Sequence, residues 1–82
     1  MDITIYSTTT CSFCHALMKW LDSKKITYTS IVTDEDPAGM IEFMKVNDGA
    51  LGVPFTVIKG TDGKVTKIVG YDQGKFRLAL GI

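Results

Sequence analysis

The chain is 82 residues long, and nine Lys and Arg residues balance nine Asp and Glu residues, so the formal net charge is zero. This balance gives no electrostatic reason to expect nucleic acid or an anionic membrane as a partner. The composition, 45% hydrophobic and 22% charged, is typical of a globular protein and not of a disordered one. A chain of this size buries about 60–65% of its unfolded surface, which predicts one modest core and a single domain over residues 1–82.

The sequence contains no segment that resembles a membrane anchor or a secretory signal. No apolar run approaches the roughly 20 residues of a membrane-spanning helix. The first six residues carry neither a basic segment nor a long apolar one. We therefore expect a cytoplasmic protein, and in the cytosol a Cys-x-x-Cys pair is more often redox-active or metal-binding than a structural disulfide.

The first 32 residues predict two β-strands joined by an α-helix. Ile3 and Ile5 alternate with Thr4 and Tyr6 over 2–7, which is typical of a strand. Over 12–24 the apolar residues recur at the helical period, and 26–32 is again rich in β-forming residues. Because a helix connects them, the two strands are expected to be parallel in a right-handed βαβ unit.

The predicted helix over 12–24 has one broad apolar side, which indicates that it packs against the sheet. Its apolar side predicts that Trp20 belongs to the core, and its polar side predicts that His15 is solvated. The apolar side comprises Phe13, Cys14, Ala16, Leu17, Met18, Trp20 and Leu21, and the polar side comprises His15, Lys19, Asp22 and Ser23.

Acidic residues at 34–36 followed by Pro37 predict the start of a second helix, with the proline at its first position. The same acidic residues are compatible with a metal site, but helix capping is the more common role of such a segment. The helix over 38–46 places Met40, Ile41 and Met44 on one face and ends at the Asn-Asp-Gly segment 47–49.

The last third of the chain predicts a β-hairpin and a short helix. Strands over 55–59 and 64–69 are separated by the Gly-Thr-Asp-Gly turn at 60–63, which indicates an antiparallel pair. Asp72 is a candidate N-cap for a final helix that Gly81 closes. The predicted element order is β-α-β-α-β-β-α, which is typical of an α/β protein with one mixed sheet and helices on its faces.

Both cysteines of the chain, Cys11 and Cys14, lie where the first strand meets the first helix. Three positions apart in a first helical turn, they are close enough to form a disulfide, to share a metal or simply to pack. The helix N-terminus favours an anion, so Cys11 is expected to ionise at a lower pH than a free cysteine. A zinc site needs four ligands, whereas two thiols and His15 are the only candidates nearby, so zinc would require a dimer and no metal site is predicted.

Three motifs together resemble the glutaredoxin family of the thioredoxin superfamily, and the resemblance covers essentially the whole chain. They are the strand–Thr-Thr-Cys-Ser-Phe-Cys–helix segment, Val53-Pro54 before the third strand, and Gly70-Tyr71-Asp72 before the last helix. The resemblance implies the α/β thioredoxin fold, in which a four-stranded mixed sheet of order 2-1-3-4 is flanked by three helices.

The resemblance also implies roles for individual residues. Cys11 matches the family's nucleophile and Cys14 its resolving cysteine, whereas Pro54 matches a cis-proline that exposes the backbone of Val53 to the substrate. In the Gly70-Tyr71-Asp72 segment, Tyr71 and Asp72 match positions that hold the γ-glutamyl end of glutathione. Phe13 has two open interpretations, a substrate contact at the rim of the site or a member of the apolar side of the helix.

The sequence departs from the common family pattern in three respects. Thr8 stands where many glutathione-using members carry a lysine, Gly52 stands where threonine is common, and Ser12-Phe13 replaces the usual Pro-Tyr. The first two departures bring forward a related branch, the redoxins that reduce class Ib ribonucleotide reductase and are themselves reduced by thioredoxin reductase. Ser12 resembles the few dithiol members that bind a [2Fe–2S] cluster between two subunits with glutathione.

The sequence therefore predicts a thiol–disulfide oxidoreductase that reduces protein disulfides or glutathione mixed disulfides. No permanently bound cofactor is expected, glutathione is the expected co-substrate, and the expected oligomeric state is a monomer. The expected partners are disulfide-bearing proteins and a reductant, either glutathione or thioredoxin reductase. Three alternatives stay open: a thioredoxin-reductase-dependent redoxin that donates electrons to ribonucleotide reductase, a glutathione-assisted [2Fe–2S] cluster-binding module, and a non-catalytic domain that uses the fold only to bind a partner.

Overall fold

A computed structural model of the chain describes residues 1–49 and 52–82, and a four-stranded mixed sheet lies at its centre. The strands occur in the order β2-β1-β3-β4, and three helices complete the architecture, which confirms the predicted element order and strand order. The elements are β1 (Asp2–Ser7), α1 (Ser12–Ser23), β2 (Thr29–Val32), α2 (Pro37–Val46), β3 (Phe55–Lys59), β4 (Val65–Val69) and α3 (Gln73–Leu80).

Strand pairing brings three chain segments to one edge of the sheet. β1 is parallel to β2, with Ser7 opposite Val32, and antiparallel to β3, with Tyr6 opposite Phe55. The end of β1, the end of β2 and the start of β3 therefore meet at this edge. The segments that follow β1 and precede β3 contain the cysteine pair and Pro54, so the register of the sheet alone brings these two motifs together.

The two faces of the sheet bury separate hydrophobic clusters. Alternation along the strands directs Ile5 to one face and Tyr6 to the other. α1 and α3 cover the first face, and α2 covers the second. The first cluster contains Ile3, Ile5, Leu17, Leu21, Ile58, Ile68 and Phe76, and the second contains Tyr6, Phe43, Phe55 and Val57.

β2 begins at Thr29, and the predicted start at Ile26 is wrong. The backbone N–H groups at the end of α1 explain the difference. Lys25 donates to the Asp22 carbonyl and Ile26 to the Leu21 carbonyl, so these donors complete the helix C-terminus and do not join a strand ladder. Ile26 instead packs its side chain against the first cluster.

The apolar face predicted for α2 is not the face that packs. Met40, Ile41 and Met44 are exposed, whereas Gly39 and Phe43 face the sheet. A Cβ atom at Gly39 would overlap Ile31 Cγ2, so the missing side chain lets the helix lie very close to β2. That close approach orients Phe43, one turn later, into the aromatic cluster with Tyr6 and Phe55.

The predicted helix ends are largely confirmed. Asp36 caps α2 by accepting from Gly39 N at 3.0 Å, and Asp72 caps α3 by accepting from Lys75 N at 3.1 Å. Gly81 ends α3 in the left-handed conformation. Among residues 1–49 and 52–82, no helix is long and apolar enough to span a bilayer.

Candidate active site

The two cysteine sulfurs form a disulfide at the N-terminus of α1, with their Cα atoms 5.2 Å apart. The two residues differ in their access to solvent. Cys11 is the half-buried N-cap of the helix, whereas Cys14 has no exposed surface. The accessible side of the disulfide is therefore that of Cys11, while Cys14 is closed to solvent.

The Cys11 sulfur accepts a hydrogen bond from the backbone N–H of Cys14 at 3.1 Å. This is the capping interaction that a serine or aspartate side chain makes at other helices, here made by a sulfur. When the disulfide is reduced, the same N–H and the helix dipole favour the ionised Cys11 thiolate. The Cys14 N–H is thus placed where a Cys11 thiolate would accept it, and the lower pKa of Cys11 stays a prediction.

The Val53–Pro54 segment lies directly across from Cys11. The peptide bond between these residues is cis, as the resemblance implied, and the Val53 carbonyl oxygen lies 3.8 Å from the Cys11 sulfur. Pro54 is buried and its carbonyl accepts from Gly70 N at 2.7 Å. Three predicted site residues, Val53, Pro54 and Gly70, are therefore joined into one wall beside the sulfur.

Tyr71 and Asp72 continue from Gly70 into α3. Asp72 serves as the N-cap, and the Tyr71 hydroxyl accepts from Gln73 Nε2 at 2.6 Å. The Tyr71 ring packs against Trp20 with ring centroids 6.4 Å apart. Trp20 is only partly buried, and the Arg77 guanidinium lies 5.7 Å from its ring centroid, so the residue predicted for the core lies at the α1–α3 boundary.

Phe13 is 66% exposed, which decides between its two predicted positions. The side chain does not fold into the apolar side of α1 and instead projects into solvent. A large apolar ring that is exposed to solvent is available for contact with another molecule. The structure therefore excludes a core position for Phe13, and its contact with a substrate stays a prediction.

Sequence reasoning missed a network around Thr9, two residues before Cys11. The Asp34 carboxylate accepts from Thr9 N at 3.1 and 3.2 Å and also from the Thr9 hydroxyl. The hydrogen bond from the Thr9 hydroxyl is the main reason that the pKa of Asp34 lies below its ordinary value. His15, predicted to be simply solvated, places Nε2 3.2 Å from the Thr9 carbonyl oxygen. The sequence grouped Asp34 with the acidic segment 34–36 that precedes α2, but the cap of that helix is Asp36, directly before the first helical residue, and Asp34 binds Thr9 instead.

The donor set near the cysteines is small. Among residues 1–49 and 52–82, no group of three or more His, Cys, Asp and Glu side chains is arranged to hold a metal ion. A [2Fe–2S] cluster takes four ligands, whereas this chain offers two sulfurs that are joined to each other. The residues of one chain therefore do not fit a cluster by themselves, and its remaining ligands would have to come from outside the chain.

Comparison with known proteins places this site in context. A sequence model described as Glutaredoxin matches residues 3–62. No curated protein matches the sequence. The chain is similar to the structure of glutaredoxin from Methanosarcina mazei Go1, with a TM-score of 0.78 and 24% identity over 99% of this chain and 79% of that one.

Two further solved structures share the fold. The glutaredoxin-like NrdH-redoxin from Escherichia coli, described as having a thioredoxin-like activity profile, has a TM-score of 0.73 and 23% identity over 95% of this chain and 93% of that one. A buckwheat glutaredoxin–glutathione complex has a TM-score of 0.65 and 23% identity over 98% of this chain and 70% of that one. These likenesses support the thioredoxin-like fold.

Proposed function

The chain belongs to the glutaredoxin family, and we propose that it is a thiol–disulfide oxidoreductase in which Cys11 attacks the substrate and Cys14 resolves the intermediate. The observation that carries this proposal is the asymmetry of the pair. Cys11 is reachable and its sulfur accepts the Cys14 N–H, whereas Cys14 is fully buried. An exposed, stabilised thiolate backed by a second thiol is the arrangement that disulfide exchange requires.

The reaction transfers two electrons from the dithiol to a substrate disulfide. The Cys11 thiolate attacks one substrate sulfur, which forms a mixed disulfide and releases the other sulfur as a thiolate that takes up a proton. The Cys14 thiol loses its proton, attacks the Cys11 sulfur and releases the second substrate thiolate. The product is the Cys11–Cys14 disulfide, which is the bonding state described above.

The wall opposite Cys11 supports binding of an extended substrate segment. The Val53 carbonyl oxygen lies 3.8 Å from the Cys11 sulfur, so backbone attached to a substrate sulfur bonded there would run beside Val53. Backbone pairing of this kind binds many sequences equally, because it does not depend on side chains. The exposed ring of Phe13, two residues after Cys11, supplies apolar contact. We infer that protein disulfides and glutathione mixed disulfides are both substrates.

Two reductants are compatible with the site. Tyr71 and Asp72 beside the start of α3 favour glutathione as the co-substrate, and one structural neighbour is a glutathione complex. The neutral Thr8, whose carbonyl accepts from Cys11 N at 3.3 Å, supplies no cation for a glutathione carboxylate. That observation favours a second candidate, a redoxin reduced by thioredoxin reductase that donates electrons to ribonucleotide reductase.

Cysteine variants test the proposed activity. Reduction of insulin and of a glutathione mixed disulfide is measured for the wild type, Cys11→Ser and Cys14→Ser. We expect Cys11→Ser to abolish both activities, and Cys14→Ser to lose insulin reduction while it keeps glutathione-dependent exchange. The activity that Cys14→Ser keeps shows that this turn tolerates a serine at the more buried position, so Cys14→Ser is the folding control for Cys11→Ser. Full activity of Cys11→Ser would refute the proposal.

The reductant is identified with the same oxidised protein in two coupled assays. One contains glutathione, glutathione reductase and NADPH, and the other contains thioredoxin reductase and NADPH. Rapid NADPH consumption only in the first assay supports glutaredoxin-type function. Rapid consumption only in the second supports the redoxin alternative and rejects glutathione as the electron donor.

A further inference from the structure

The loop between β1 and α1 is fixed at Thr9 by side chains from outside the loop. Asp34, 25 positions away, receives the Thr9 backbone N–H and the Thr9 hydroxyl on its carboxylate. His15 places Nε2 3.2 Å from the Thr9 carbonyl oxygen. Both polar groups of the Thr9 backbone are thus bound by side chains and not by a strand or helix.

A second contact joins the end of β1 to the residue that follows β2. Thr33, which precedes Asp34, donates its N–H and its hydroxyl to the Ser7 carbonyl at 2.8 and 3.1 Å. Thr33 is buried and extends the pairing of β2 with β1, whereas Asp34 is exposed. The bond between Asp34 and Thr9 is therefore the contact of the β2–α2 segment that lies nearest to Cys11 along the β1–α1 loop.

The position of the Cys11 sulfur depends on this loop. Cys11 is only the N-cap of α1, so its backbone is half outside the helix, and its N–H bonds back to the Thr8 carbonyl at 3.3 Å. The sulfur must stay within reach of the Cys14 N–H and opposite Val53 for exchange to proceed. Only Thr10 lies between Thr9 and Cys11 in the chain. Movement of the loop at Thr9 would therefore displace Cys11 from the Cys14 N–H and from Val53.

We propose that Asp34 is a positioning residue for thiol–disulfide exchange, which holds the loop through Thr9 so that the Cys11 sulfur stays against the Cys14 N–H and beside Val53. The proposal rests on the proposed function of the cysteine pair. His15 assists from the opposite side of Thr9. Asp34 acts through Thr9 and is not required to touch the substrate.

A positioning role of Asp34 and its negative charge alone predict opposite changes in the pKa of the Cys11 thiol of the reduced protein. The negative charge of Asp34 disfavours a nearby thiolate, so if charge alone mattered, its removal would lower the pKa of the Cys11 thiol. If Asp34 holds the loop, its removal weakens the hydrogen bond from the Cys14 N–H to the thiolate and raises that pKa. The sign of the change therefore separates the two effects.

The test compares Asp34→Ala with two controls from the same segment. Glu35→Gln removes an equal, exposed charge one position away, and Asp36→Ala removes the N-cap of α2, which accepts from Gly39 N and not from Thr9. The pKa of Cys11 is measured from the pH dependence of alkylation in a Cys14→Ser background, where it is the only thiol. Disulfide reduction is measured in the intact dithiol protein.

We expect Asp34→Ala to raise the Cys11 pKa and to lower kcat/KM by about tenfold, which is within the loss that displacement of a reacting atom causes. Asp34→Asn keeps one acceptor oxygen for the Thr9 N–H and should lie between Asp34→Ala and the wild type. Glu35→Gln and Asp36→Ala should leave both quantities near the wild-type values, although Asp36→Ala lowers stability. If Asp34→Ala does not fold, the comparison rests on Asp34→Asn.

An unchanged Cys11 pKa together with an unchanged kcat/KM would overturn the proposal, and so would a lowered pKa, which would indicate charge alone. These outcomes are distinct from failure of the proposed function. In that case the wild type itself would not reduce disulfides, or Cys11→Ser would remain active.

Discussion

The Cys11 sulfur lies 3.8 Å from the carbonyl oxygen of Val53, although the two residues are 42 positions apart in the chain. The sheet produces this proximity, because β1 and β3 are neighbours and their site-bearing ends meet at one edge. The wall that Val53 and Pro54 form beside the sulfur is held in place by the hydrogen bond from Gly70 N to the Pro54 carbonyl. Residues that hold this wall should therefore affect exchange without contacting a sulfur.

Gly70→Ala should impair disulfide reduction. Gly70 has a φ of 87°, which an alanine adopts at a cost of about 1 kcal/mol, and any relaxation shifts the N–H that holds Pro54. Gly63→Ala is a matched control, because Gly63 has a φ of 83° in the distant hairpin turn and neither glycine has an atom within 4 Å of an added Cβ. Chemical denaturation should show similar losses of stability for both variants.

Only Gly70→Ala should also lower kcat/KM for insulin, by about threefold to tenfold if the wall moves by a fraction of an ångström. Equal activity of the two variants would mean that the Gly70–Pro54 bond does not control the site.

Phe13→Ala should weaken binding of protein substrates while it leaves the fold unchanged. Because Phe13 is 66% exposed, its removal creates no cavity, and the free energy of unfolding should change by less than about 0.5 kcal/mol. We expect KM for insulin to rise several-fold with little change in kcat. Leu78→Ala is the control, since Leu78 is 87% exposed on α3, and it should alter neither quantity. A fall in kcat with constant KM would argue against a binding role.

The fold was largely predictable because most segments carry residue patterns that favour the secondary structure they adopt. Alternating residues marked β1, and Asp36-Pro37 and Asp72 together with Gly81 marked helix ends through their own capping chemistry. The exception at α2 has a physical reason. A sequence pattern counts large apolar residues, so Met40 and Met44 outweighed Gly39, but helix packing favoured the smallest residue at the closest approach to Ile31.

The site was only half predictable for a related reason. Cys11 and Pro54 belong to motifs whose residue types indicate their chemistry. The contact of Asp34 with Thr9 joins segments 25 residues apart and depends on the register of β1 with β2, which no local pattern encodes. His15 likewise lies on a polar helix side, and only the path of the preceding loop brings its ring to Thr9.

Alanine variants of the two N-cap aspartates, Asp72 and Asp36, separate the effect of helix capping from the effect of glutathione binding. Each side chain accepts from a backbone N–H three residues later, at 3.1 and 3.0 Å, so replacement by alanine should cost each helix about 1 kcal/mol. If Asp72 also binds the amine of glutathione, Asp72→Ala should raise KM for glutathione about tenfold, whereas Asp36→Ala should not. The coupled glutathione reductase assay measures the difference. Equal KM values would leave Asp72 with capping alone.

Gly39→Ala should destabilise the protein even though alanine is the better helix former. The added Cβ would overlap Ile31 Cγ2, and such overpacking costs about 1–3 kcal/mol against a helix-propensity gain of about 1 kcal/mol. Ile31→Ala removes the overlapping group, so a double-mutant cycle should show the two substitutions to be strongly coupled. Gly74→Ala in α3, where the nearest atom is an Asp72 carboxylate oxygen at 3.3 Å, serves as the control. Additive effects at positions 39 and 31 would disprove the close contact.

Tyr6 should make the stability of the oxidised protein fall at alkaline pH. Burial, reinforced by a hydrogen bond to Glu42, raises the pKa of Tyr6 from 10.0 to about 12. Below pH 10 both the folded and the unfolded protein keep the phenol proton, so the stabilisation is complete. Between about pH 10 and pH 12 the unfolded protein loses that proton first, and stability decreases as pH rises.

The expected loss from Tyr6 at pH 11 is about 1.4 kcal/mol relative to pH 8, measured by urea unfolding with the disulfide intact. Tyr6→Phe cannot ionise and should remove most of this dependence. Partial burial also raises the pKa of Tyr28, so a smaller decline in the same direction should persist in Tyr6→Phe and be reduced further in the Tyr6→Phe/Tyr28→Phe double variant. An equally steep alkaline decline in the wild type and Tyr6→Phe would show that another group controls it.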